Sequence, residues 1–230
     1  MPADSVVLGD QPGAVQSVQG PASVLVALNE CSFSVALAKG QYLRFNTPDV
    51  VFVQSATALN EQAMPHLWQA ETYSGYEWQF RKPGGLADTW FGVMCEGTAS
   101  FSLLKPEVAV PEAEVSPGLQ VIRGSNDLKC PATLTRDGWV PTQRAGRPED
   151  YVFEQLSGPD WSGFVLGYRN TTGKTFGRIS FCLIHDDQVL LGAAENDVRP
   201  LKLSAQAFED IKKALLAIRF QGAAAARNEP

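Results

Sequence analysis

Polar and apolar residues alternate most regularly at residues 76–81. Tyr76, Trp78 and Phe80 share one phase and Glu77, Gln79 and Arg81 the other, which predicts a half-buried β-strand. Phe164, Leu166 and Tyr168 repeat that phase in a second strand over 163–170. Apolar runs at 22–29, 49–54, 99–104, 119–123, 175–184 and 188–193 read as further strands, and Asp186-Asp187 as the hairpin turn between the last two. A period of 3.6 appears over 205–220. There Ser204 fits an N-cap, Leu203 can staple to Phe208, and Phe208, Ile211, Leu215 and Ile218 form one stripe, with Gly222 as C-cap. Residues 148–156, opened by Pro148 and Glu149-Asp150, and residues 56–64, closed by Pro65, read as short helices. The predicted class is α+β, with two related, mostly antiparallel β-rich lobes, short helices and a C-terminal helix.

Residues 106–118 contain three prolines, three glutamates and no basic residue, and read as a linker. The expected organisation is a flexible lead-in at 1–20, a first lobe at 21–105, the linker, a second lobe at 119–222 and a frayed tail at 223–230. Charge is uneven across the linker: residues 1–105 hold 5 Lys/Arg and 9 Asp/Glu, residues 119–230 hold 14 and 13.

The lobes share an order of landmarks. Tyr73-Ser-Gly-Tyr-Glu-Trp-Gln-Phe-Arg81 aligns without a gap with Trp161-Ser-Gly-Phe-Val-Leu-Gly-Tyr-Arg169. Each strand is followed by a Phe-Gly pair and a cysteine (Phe91-Gly92 and Cys95; Phe176-Gly177 and Cys182), and each lobe opens near a cysteine (Cys31; Cys130). This order predicts an internal repeat. It also selects, from three possible pairings, the disulfides Cys31–Cys95 and Cys130–Cys182. No CxxC occurs and the cysteine spacings are 64, 35 and 52, so paired thiolate zinc ligands are not expected. Two disulfides imply an oxidising compartment: periplasmic or secreted, as a mature form without its signal peptide, with the cytoplasm as the alternative.

The chain has 230 residues, 44% hydrophobic, 19% charged, net charge −6. That is enough apolar mass for a core. It offers no dense basic cluster for nucleic acid and no apolar run long enough to span a membrane.

Catalytic and cofactor signals are weak. Gly173-Lys174-Thr175 resembles the end of a phosphate loop, but the glycine required five residues before Gly173 is Tyr168, and strands flank the turn. His185-Asp186-Asp187 lacks companions at ligand spacing and reads as a solvated turn; His66, beside Leu67 and Trp68, reads as packing. GxSxG is absent. No catalytic residue, metal or cofactor is assigned. Asn170-Thr171-Thr172 is a glycosylation sequon only in a glycosylating secretory pathway.

Four residues stand as candidate ligand contacts. Arg81 and Arg169 occupy matching positions in the alignment, as paired anion contacts or as charges closing a strand. Trp90 and Trp139 border turns and are the tryptophans expected to be exposed; Trp78 is expected in the core. The leading functional expectation is a non-catalytic protein that binds another protein, of inhibitor or toxin-immunity type. The alternatives are a carbohydrate or small-ligand binder and a hydrolase whose site assembles only in the fold. Oligomeric state is left open.

Overall fold

The computed structural model describes residues 6–9, 16–28, 31–46, 50–55, 64–72, 75–84, 87, 89–104, 115–196 and 199–221. In chain order the first half forms β1 (Val6–Gly9), β2 (Ser17–Gln19), β3 (Ala22–Ala27), β4 (Ser32–Leu37), β5 (Gln41–Asn46), β6 (Val50–Ser55), β7 (His66–Thr72), β8 (Gly75–Arg81) and β9 (Trp90–Gly97). The second half forms α1 (Pro117–Lys129), β10 (Ala132–Thr135), β11 (Gly138–Pro141), β12 (Tyr151–Ser157), β13 (Ser162–Arg169), β14 (Phe176–His185), β15 (Gln188–Ala194), α2 (Ala205–Leu216) and β16 (Arg219–Gln221). The fold is β-rich, mostly antiparallel and α+β, with a helix near the C-terminus.

An eight-stranded sheet in the order β12-β13-β14-β15-β9-β6-β5-β2 is the centre of the molecule. Its middle strands are buried on both faces: β14, β15 and the first half of β9 and β6 are nearly continuous apolar runs, as strands covered on two sides must be. The seam is β15 against β9, with Leu190 opposite Cys95 and Leu191 opposite Met94. Strands from both sides of the 106–118 segment therefore share one sheet.

Register separates the two faces. Leu166, Ser180, Ala193, Gly92 and Phe52 line up across five strands on one face. That face is covered by α1 and by the hairpins β7-β8 and β10-β11: Phe80 meets Phe52 edge-on at 5.6 Å, and Trp139 packs on Phe164 at 5.5 Å. A Cβ on Gly92 would lie 2.6–2.7 Å from the Phe80 and Phe52 rings, so glycine is what lets this hairpin dock. The other face carries Val165, Phe181 and Val93 and is covered by α2 and by a second sheet, β1-β3-β4-β16. Here Phe208 of α2 packs on Phe176 at 5.1 Å, and His185 stacks on Phe220 of β16 at 4.8 Å.

Each disulfide ties a covering layer to the central sheet. Cys31, just before β4, bonds Cys95 on β9; Cys130, the C-cap of α1, bonds Cys182 on β14. On the chain-entropy argument each closes a loop worth about 4 kcal/mol.

Several expectations need correction. The aligned landmarks are not equivalent strands. Residues 75–81 form an outlying hairpin strand, whereas 162–169 lie within the main sheet; Phe91-Gly92 and Cys95 sit on the seam strand, Phe176-Gly177 and Cys182 one strand further out. Residues 119–123 belong to α1, because Ser116 caps the helix at Leu119 N and Pro117 starts it. The apolar segment 99–104 is a short 3-10 turn (Thr98–Ser100) and irregular chain. Only Pro148–Asp150 is helical in 148–156; from Tyr151 the aromatic and β-branched residues pair with β13. The lead-in contributes β1, parallel to β3, and β2, antiparallel to β5. Helix α2 closes at Ala217, ahead of Gly222, because Arg219–Gln221 pair with β4. Residues 56–63 and the tail from 222 lie outside the described residues.

Candidate functional site

The candidate contacts fall in three different environments. Trp90 and Trp139, expected to be exposed, are 1% and 2% exposed. Trp90 packs 6.2 Å from Phe52, and Trp139 donates from Nε1 to Ser162 Oγ at 3.1 Å, so both spend their surface in the core rather than on a ligand platform. Arg169 is exposed at the end of β13, in register with Phe176. Arg81 lies elsewhere, at the open end of the β7-β8 hairpin, where it pairs in register with His66. The two arginines do not meet.

Arg81 borders an open pocket of about 450 Å³. His66, read from sequence as packing, is exposed at the same pocket. Lys82 and the turn through Pro83 and Gly84 follow, and Asn196 and Arg199 enter from the segment beyond β15. Gly84 takes φ 64°, which favours glycine. Two contacts fix the lining. The Arg81 guanidinium stacks 3.8 Å from the Trp68 ring centre, and Asn196 Nδ2 donates to Lys82 O at 3.3 Å. Arg81, Lys82, Arg199 and His66 thus line one recess in a chain of net charge −6. Sequence showed the Arg81-Lys82 pair; nothing local tied it to Asn196 and Arg199, 114 or more residues away.

A second feature is the polarity of α1. Its inward side chains are Arg123, Asn126 and Asp127. They serve the chain at 99–103, whose backbone groups have no strand partner there. Arg123 Nε donates to Ala99 O at 2.8 Å and Asn126 Nδ2 to Ser100 O at 3.2 Å, while Asp127 Oδ1 accepts from Ser102 N at 3.0 Å. Asn126 Oδ1 also accepts from Trp78 Nε1 at 3.1 Å. Burial pushes the Asp127 carboxyl above its ordinary pKa, against the lowering effect of those amides and of Arg144. At the helix end, Lys129 Nζ meets Glu195 Oε1 at 2.6 Å beside the Trp78 ring; burial pulls its pKa down, and Glu195 opposes that. Glu195 also accepts from Phe80 N at 3.2 Å. The outward face carries Val121, Ile122 and Leu128, the last 54% exposed, and Val140 of β11 is exposed as well.

His185 is not a solvated turn residue: it stacks on Phe220 and its Nδ1 lies 2.6 Å from Asp160 O. Lys174 is exposed in the turn after β13, and the Asn170 amide nitrogen donates inward to Thr175 Oγ1 and Leu201 O, both at 2.8 Å. Among the described residues no helix is long and apolar enough to cross a membrane. Two disulfides fit an oxidising environment. Compared with protein-family models, curated proteins and solved structures, the chain matches none of them.

Proposed function

We propose that this chain is a non-catalytic, protein-binding protein of the periplasm or the extracellular space, of inhibitor or toxin-immunity type, and that it engages its partner through the outward face of α1. The observation that carries this reading is the inverted polarity of that helix. Val121 and Leu128, seven residues apart, share a face with Ile122 beside them, while Arg123, Asn126 and Asp127 of the same helix point inward. The face is preorganised, because Cys130–Cys182 and the bonds to residues 99–102 hold the helix before any partner arrives. Arg144, exposed, donates from Nη1 to Gly124 O at 3.3 Å on the flank of the same helix. An apolar stripe with an arginine at its rim fits a partner that presents apolar side chains next to an acidic residue.

The test is capture from the native source with the oxidised protein, followed by titration of the purified partner against wild type and an Ile122→Ser/Leu128→Ser variant of unchanged melting temperature. A loss of affinity of about tenfold or more in the variant supports the reading. Equal affinity of both proteins, or occupation of the face by a second copy of this chain, counts against it.

A further inference from the structure

We infer that the outer edge of β12 accepts an extended segment of a partner protein as an added antiparallel strand, one that carries a lysine or arginine opposite Glu154. No residue of α1 takes part, and the inference does not rest on the partner proposed for that helix.

β12 is a terminal strand of the eight-stranded sheet and is bonded to β13 on one side only. Gly158 N donates to Trp161 O at 2.9 Å, which makes these two residues a hydrogen-bonded pair at the hairpin end. In an antiparallel ladder, hydrogen-bonded and non-hydrogen-bonded pairs alternate. Counted back along the register, Leu156, Glu154 and Val152 bond to Gly163, Val165 and Gly167. Tyr151, Phe153, Gln155 and Ser157 therefore aim their N–H and C=O groups away from β13. Among the described residues, no hydrogen-bond partner meets these outward groups.

Sheet edges are commonly blunted by shortness, lysine, proline, a bulge or a cover. The opposite edge of this sheet, β2, is three residues long. β12 has seven residues, contains neither lysine nor proline, and pairs with β13 without a register shift. Its one charged residue, Glu154, accepts from Lys212 Nζ of α2 at 2.8 Å. Val152 and Leu156 flank Glu154 on that face, and Leu216, one helical turn beyond Lys212, is 40% exposed on the same side of α2. These features select the occupant. Two copies of β12, paired so that all four outward residues bond, would set the two Glu154 carboxylates directly opposite each other, which disfavours self-association. A different strand, with a basic residue at that place and apolar residues two positions to either side, meets Glu154, Val152 and Leu156 together.

The probe is a capped peptide, Thr-Val-Thr-Lys-Thr-Val-Thr, titrated into the isotope-labelled, oxidised full-length protein and followed by amide chemical shifts. The expected result is saturable shifts centred on Phe153 and Gln155, with slowed hydrogen exchange of their amides. The same peptide N-methylated at its third and fifth residues cannot donate to the edge and should not bind. A peptide with glutamate at its centre should bind wild type about fivefold more weakly, and Glu154→Lys should reverse that order. Ser157→Pro, at an exposed position whose N–H points outward, spares the ladder to β13; it should leave the melting temperature unchanged and weaken the lysine-centred peptide about threefold. Absence of binding, equal binding of the N-methylated peptide, or shifts that map to α1 instead of β12 overturns the inference. A dimer of the protein alone that Ser157→Pro dissociates overturns it as well.

Discussion

Helices α1 and α2 are nearly equal in length, 13 and 12 residues, and start alike: Ser116 Oγ accepts from Leu119 N, and Ser204 Oγ from Ala207 N. They cover opposite faces of the same sheet, yet they bury opposite kinds of side chain. Helix α2 turns Phe208, Ile211 and Leu215 inward and leaves Leu216 as its exposed large apolar residue; α1 turns Arg123, Asn126 and Asp127 inward and exposes Val121, Ile122 and Leu128. The difference follows from what lies beneath. Under α2 the strands satisfy their own backbone groups, so only apolar contact remains to be made. Under α1 lies the irregular segment 98–104, whose amides and carbonyls need partners, and polar helix residues supply them. A helix that repairs a non-strand segment is polar inside, and its apolar residues are left facing out.

Breaking each helix at its anchor should separate the two kinds of support. Phe208→Ala removes a ring packed on Phe176 in a dry layer and should cost about 3–5 kcal/mol, read as a shift in denaturant midpoint. Asn126→Leu leaves Trp78 Nε1 and Ser100 O buried without their partner; it should cost about 2 kcal/mol even though it makes α1 more apolar. A stabilising effect would mean that the polar network contributes nothing.

Asp127 sharpens the same contrast through pH. Its pKa is raised in the folded state, so its contribution is fully present below the unfolded value near 3.8 and is lost as pH rises through the folded value. Asp127→Asn does not titrate and can still accept from Ser102 N. Wild type should therefore be most favoured over the variant at about pH 3, and the gap should narrow by pH 7, in paired urea melts. A gap that widens with pH would give the carboxylate the opposite role.

The same contrast explains what could be read from the chain. Helix α2 was legible because its stripe of Phe208, Ile211 and Leu215 is a core stripe at helical spacing. Helix α1 was not, because Leu119, Val121 and Ile122 read as the short apolar run of a strand, and nothing in that order shows that Asn126 and Asp127 face inward. Cysteine order led to both disulfides, but the alignment behind it joined strands that occupy different places in the sheet. Arg81 was legible as a charge at the end of a strand; the pocket it borders was not, since Asn196 and Arg199 come from beyond β15. Trp90 and Trp139 border turns in sequence, yet their bulk fills the layer between hairpins and sheet.

The apolar face of α1 looks outward and that of α2 inward. Matched substitutions test it most directly: Leu128→Asp on α1 and Leu215→Asp on α2, compared by chemical denaturation of the oxidised protein. Leu215 is fully buried, and a carboxylate there should destabilise by about 4 kcal/mol or more, or prevent folding; Leu128→Asp should change stability by no more than about 0.5 kcal/mol. Comparable destabilisation by both substitutions would contradict the claim.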